Sequence, residues 1–241
     1  MQIRAGTDLN EFTDASAMRA AALSFITERL SKAIEARGEA LLLVSGGSTP
    51  LPLYEQLANA ELDWPQVSVA LVDERWVPVD HAASNERAIR AALMQGRAAK
   101  ARFVGMKSVH ANPAEAAPSL DAALAHLPWP ADAVVLGMGP DGHTASWFPN
   151  AHGLDAAIDL ETDRYCAAVT ARQSAVTGEH TGRMTLTAPP VLASGAMLLL
   201  MTGDEKRRAY RKARATGAVE DMPVRTLFLG DLTKLFCCWA P

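Results

Sequence analysis

Residues 137–146 read Gly137-Met138-Gly139-Pro140-Asp141-Gly142-His143-Thr144-Ala145-Ser146, or GMGPDGHTAS. The first six fit G-x-G-x-x-G, and the apolar run DAVVL before them has the character of a buried strand. A dinucleotide fingerprint needs its third glycine to open a long helix. Here Pro149 follows too soon, and Pro140 and Asp141 crowd the turn where the backbone would meet a pyrophosphate. Glu161 is only a weak match to the ribose-binding acid, so the nucleotide reading is rejected. What remains is a strand ending in a tight glycine turn that presents Asp141 and His143. A histidine two residues from an aspartate on such a turn is a candidate general base.

Working outward, strands and helices alternate. Met18, Ala22, Phe25, Ile26, Leu30, Ala33 and Ile34 recur at helical spacing, and Gly38 stops them. ALLLVS (residues 40–45) and VSVALVD (67–73) read as strands buried on both faces. Helices are predicted from about residue 50 to 58, over 84–94 with Ser84 as cap, and between Pro113 and Leu127. RFVGM, YCAAVT, AMLLLM (196–201) and RTLFLG (225–230) read as further strands, the last two flanking a charged helix, DEKRRAYRKAR. This alternation predicts an α/β fold with a mainly parallel sheet, helices on both faces, and one domain over residues 1–241.

Ligands of such sheets bind beyond the carboxyl ends of the strands, and three further segments follow strand ends. SGGSTP offers Gly46, Gly47, Ser48 and Thr49 before a helix, a setting in which backbone N–H groups can hold a phosphate; it is not a Walker A loop. DERWVP ends an apolar strand in charge. Arg75 either pairs internally with a carboxylate or offers a fixed cation to developing negative charge, while Asp73 is suited to accepting from sugar hydroxyls. TGDEK places Lys206 in a first helical turn, where it opposes the helix dipole unless an anion lies nearby. Arg183, in GRMTLT, begins a short strand and supplies another cation.

The 241 residues are 49% hydrophobic with net charge −4, ample for a buried core and without the excess of basic charge of a general nucleic-acid binder. Met1 to Asn10 lacks an apolar stretch and no run is long enough to span a membrane, so a cytoplasmic protein is expected. Three cysteines, Cys166, Cys237 and Cys238, lack ligand spacing and read as reduced thiols. No HExxH or His/Asp cluster predicts a metal, and no cofactor is expected.

Together, LLLVSGGSTPLPLYEQL, VALVDERWVP…SNE, VVLGMGPDGHTASWFP, RMTLT and GDEK resemble the glucosamine-6-phosphate deaminase/6-phosphogluconolactonase family, in family order over most of the chain. The resemblance implies a modified Rossmann-like fold without a nucleotide. It also implies hydrolysis of 6-phospho-D-glucono-1,5-lactone, the second step of the pentose phosphate pathway. By resemblance, Gly46 to Thr49 form a phosphate loop with Arg183 and Lys206 as its cations, Asp73 and Arg75 line the sugar ring, and Asp141 and His143 are the catalytic pair. The deaminase branch looks like G-x-D-G-H-I-A-F-N-E-P, with a glutamate where this chain has Phe148, and D-E-Y where this chain has D-E-R. Both differences favour the lactonase branch. A deaminase and a non-catalytic sugar-phosphate sensor remain the alternatives, and a monomer or small homo-oligomer is expected.

Overall fold

The structure is a computed structural model and describes residues 3–241. The chain runs β1 (Gly6–Glu11), α1 (Ala15–Arg37), β2 (Ala40–Val44), α2 (Leu51–Leu57), β3 (Val67–Leu71), β4 (Asp73–Arg75), α3 (Asn85–Ala92), β5 (Arg102–Val104) and α4 (Pro113–Leu124). It continues with β6 (Ala133–Gly137), α5 (Leu154–Ile158), β7 (Cys166–Thr170), β8 (Gly182–Leu186), α6 (Ala188–Leu192), β9 (Met197–Thr202), α7 (Asp204–Arg214) and β10 (Leu235–Ala240).

Local chemistry sets the element ends. Asp14 caps α1 by accepting from the Ala17 amide at 2.8 Å, and Gly38 terminates it in the left-handed region at φ 76°. Met18, Ala22, Ile26, Leu30 and Ala33 recur every three or four residues and form its buried stripe. Ser84 caps α3 by accepting from the Arg87 amide, as its position predicted.

Seven strands form a sheet in the order β1-β10-β9-β6-β2-β3-β5, every neighbouring pair parallel. Strands β2, β3 and β10 are buried at every position. Successive strand residues point to opposite sides, so both faces of the sheet are covered. From β2 the chain steps to β3 and β5 on one side, then returns to β6, β9 and β10 on the other. The direction reverses between β2 and β6, where their outgoing loops diverge and leave a crevice. Among the described residues, no helix is long and apolar enough to cross a membrane.

Three features depart from expectation. A second, antiparallel sheet, β4-β8-β7, takes DER and GRMTL away from the main sheet. RTLFLG is not a strand: Pro223–Phe228 is a 3-10 helix opened by proline. Its Arg225 is buried and donates to the carbonyls of Lys212 and Ala213 in the last turn of α7 and of Ala218 beyond it, bonds that an outward-alternating strand residue would not make. The same segment braces the glycine turn, with the Val224 amide donating to the Gly142 carbonyl at 2.9 Å. The sheet is completed instead by β1 and β10. Cys237 and Cys238 lie in β10 fully buried, and burial pushes both thiols up, Cys237 to about 11.

Candidate active site

A cavity of about 220 Å³ lies at the switch point, walled by the loops that leave β2, β3, β6 and β9, four contiguous strands of the sheet. Gly46, Gly47, Ser48, Thr49, Asp73, Arg75, His143, Arg183 and Lys206 all line it. Asp141 stands behind His143, hydrogen-bonded to it. Asn85, Phe148 and Val176 complete the wall. A wider groove of about 680 Å³ runs beside α1 and Phe236. Its charges are engaged with one another and with rings, Lys32 with Glu28 and Arg29 over Phe25 and Phe236, and none of the four loops reaches it.

The GMGPDGHTAS segment is a reverse turn with no helix after its third glycine. The Gly139 amide donates to the His143 carbonyl at 2.9 Å and the Gly142 amide to the Gly139 carbonyl at 3.0 Å, with Gly142 at φ 85°. His143 Nδ1 meets Asp141 Oδ1 at 2.6 Å, and the His143 amide donates to the same oxygen at 3.2 Å. Burial acts to raise the Asp141 carboxyl, but the hydrogen bond and charge of His143 outweigh it and hold it below its ordinary value. The carboxylate orients the ring through Nδ1 and leaves Nε2 as the nitrogen free for proton transfer. A Cβ on Gly139 would collide with the imidazole, so the close approach requires glycine. Phe148 packs against the imidazole, its ring centroid 4.4 Å from that of His143.

Across the cavity wall the charge is positive. Arg75 and Arg183 are directly opposite each other in the antiparallel pairing of β4 with β8. Like charges in such a pair are mutually unfavourable, yet neither arginine forms an ion pair among the described residues. Arg75 Nη1 donates to the Ala83 carbonyl and Arg183 Nη2 to the Thr177 carbonyl, so the internal Arg75–carboxylate bridge is not formed. Arg183 is only 3% exposed, its Nε has no partner among the described residues, and burial lowers its guanidinium to about 10, leaving it charged at neutral pH. It lies over the Phe148 ring at 5.5 Å. Lys206 is half-buried in the first turn of α7, and burial likewise lowers its ammonium. The amides of Gly46, Gly47, Ser48 and Thr49 donate to nothing within the described residues. Two opposed arginines, a lysine and a row of free N–H groups make a site that an anion would stabilise.

A buried polar network not read from the sequence joins these loops. Asp73 accepts from Ser146 Oγ at 2.5 Å and from Asn85 Nδ2 at 3.2 Å. Glu74, wholly buried, accepts from Ser84 Oγ and from the amides of Arg75, Asn85 and Glu86. It thereby ties β4 to the start of α3. Ser146 and Asn85 lie inside the GMGPDGHTAS and SNE motifs, but their bonds to Asp73 join segments distant in sequence. Among the described residues, no three His, Cys, Asp or Glu side chains gather as a metal site requires.

Residues 13–235 match the model of the family described as glucosamine-6-phosphate isomerases/6-phosphogluconolactonase. The chain is 40% identical to a 6-phosphogluconolactonase of Pseudomonas putida, covering 99% of this chain and 96% of the relative. It is also 40% identical to one of Pseudomonas aeruginosa, covering 97% and 96%. A crystal structure of a 6-phosphogluconolactonase from Shewanella baltica superposes with a TM-score of 0.92 at 37% identity, covering 99% of this chain and 100% of that one. The turn that looks like a dinucleotide motif thus sits in a fold shared with sugar-phosphate enzymes, and this chain belongs to the glucosamine-6-phosphate isomerase/6-phosphogluconolactonase family.

Proposed function

We propose that the chain, as a single domain, hydrolyses 6-phospho-D-glucono-1,5-lactone to 6-phosphogluconate, within the oxidative pentose phosphate pathway. The observation that carries the reading is a carboxylate-oriented imidazole facing the same small cavity as three cations and a row of unpaired amides. Relatives named for this activity at 40% identity over nearly the whole chain support it.

The phosphate binds the Gly46–Thr49 amides with Arg183 and Lys206. That leaves C1 near His143. Neutral His143 removes a proton from water through Nε2 as the water oxygen bonds to C1. Asp141 holds the ring and stabilises its charged form. Arg75 faces the oxyanion that develops on the carbonyl oxygen. As the tetrahedral centre collapses, the bond from C1 to the ring oxygen breaks and His143 returns its proton to that oxygen. The acid produced then ionises to solvent. General-base assistance contributes about 10²–10⁴-fold and a fixed oxyanion donor about 10²–10³-fold. These factors suffice for an activated ester that already opens in water.

The test is acid release from the lactone, corrected for spontaneous opening, beside ammonia release from glucosamine 6-phosphate on the same preparation. Lactone hydrolysis with little deamination is expected, because Phe148 can neither accept a proton nor orient the imidazole by charge. Comparable turnover of both substrates overturns the reading. His143→Ala should remove most of the lactonase acceleration, on the order of 10²-fold or more. A folded variant of near wild-type kcat excludes the general-base role.

A further inference from the structure

Asn85, the first residue of α3, lines the cavity yet is only 3% exposed. Both hydrogens of its Nδ2 are used on one neighbour, the Asp73 carbonyl at 2.8 Å and the Asp73 carboxylate at 3.2 Å. Those two acceptors fix which way round the amide lies, since neither could donate to an oxygen in its place. The side-chain Oδ1 is therefore turned away from Asp73 and toward Gly46, where a Cβ would overlap it. Among the described residues nothing donates to it. Asp73 keeps lone pairs beyond those taken by Ser146 and Asn85, so the wall offers two adjacent acceptors. Oδ1 still reaches the cavity, where a ligand hydroxyl can replace water, and a bound ligand lacking that hydroxyl would leave the acceptor unpaired.

Resting on the lactonase reading, we propose that Asn85 is a specificity-determining residue whose side-chain carbonyl accepts a hydrogen bond from a ring hydroxyl of the lactone, beside Asp73. Ser146 acts behind it as a positioning residue, holding the carboxylate that orients the amide. Gly46 then has a second role: without a side chain it lets the phosphate loop lie against the Asn85 carbonyl, joining the phosphate and ring ends of the site.

The experiment compares kcat/KM for 6-phosphogluconolactone and its 2-deoxy, 3-deoxy and 4-deoxy analogues, each corrected for spontaneous opening, in the wild type, Asn85→Ala and Asn85→Asp. The wild type should be slower on one deoxy analogue by on the order of tenfold. Asn85→Ala should reduce that penalty to about twofold or less; if this variant does not fold, Asn85→Ser is the alternative truncation. Asn85→Asp keeps an acceptor in place and should preserve the penalty, although its overall rate falls because a second carboxylate now faces Asp73. A wild type indifferent to every deoxy analogue overturns the proposal. So does a truncation that slows all four substrates equally, which marks a structural role only. A wild type inactive on the parent lactone overturns the lactonase reading and this proposal with it, whereas normal activity with unaltered ratios overturns the Asn85 role alone.

Discussion

At the scale of single residues, the site is a matter of where charge is held. Asp141 lies below its ordinary carboxyl value because His143 binds its ionised form against the opposing effect of burial. The folded chain therefore binds fewer protons there than the unfolded chain, whose aspartate titrates near 3.9. This contribution to stability is present above the unfolded value and lost as pH falls through the folded one. Asp141→Asn should lower kcat on the order of 10²-fold or more by releasing the imidazole. Its stability deficit, measured by denaturant unfolding, should shrink between neutral pH and about pH 3; a deficit constant with pH would disprove the linkage. Lys206 is a test of binding rather than chemistry. A charged hydrogen bond contributes about 1.5–3 kcal/mol, so Lys206→Ala should raise KM roughly tenfold to a hundredfold. It should also weaken inhibition by inorganic phosphate, and if both constants are unmoved, Lys206 does not hold the phosphate. Residue chemistry of this kind was legible in the sequence because Asp141 and His143 meet within one turn. Asn85 and Ser146 were not, because their partner Asp73 lies in a different element, β4.

At the scale of elements, the glycine turn is a device for bringing a ring against a backbone. A Cβ on Gly139 would meet the imidazole and the Asp141 carboxylate, while one on Gly137 meets nothing within 4 Å. Gly139→Ala should fold but displace His143, and a misplacement of about 1 Å lowers the rate on the order of 10²-fold. Gly137→Ala should be far milder, and steady-state kinetics on the pair distinguishes displacement of the ring from general loop damage. The central strands were readable as unbroken apolar runs. GTDLNE was not, since as an edge strand β1 has just one fully buried residue, Asn10. RTLFLG misled because a short apolar run does not separate strand from helix; Pro223 and the carbonyls waiting for Arg225 decided it.

At the scale of the whole molecule, strand burial predicts inert thiols, Cys237 and Cys238 in the parallel sheet and Cys166 in the antiparallel one. Cys166 is pushed up to about 12 and Cys237 to about 11, chiefly by burial, and Cys238 is raised as well. The native protein should resist alkylation at neutral pH and keep full activity, with all three cysteines labelled only once denaturant unfolds the chain; rapid native labelling would contradict this burial. The sheet order was less legible than its class, because alternation of strands and helices gives direction but not which strands lie side by side. One adjacency has a consequence for biosynthesis. Among the described residues, β1 pairs within the main sheet only with β10, which lies between it and β9. β1 leaves the ribosome long before β10 and must wait for it before it can join. At about 5–20 residues per second, that interval is on the order of tens of seconds. Throughout it β1 stays detached, and over the last part, once β9 has formed, the sheet carries an unpaired edge as well, the period in which a chaperone would be most useful to it.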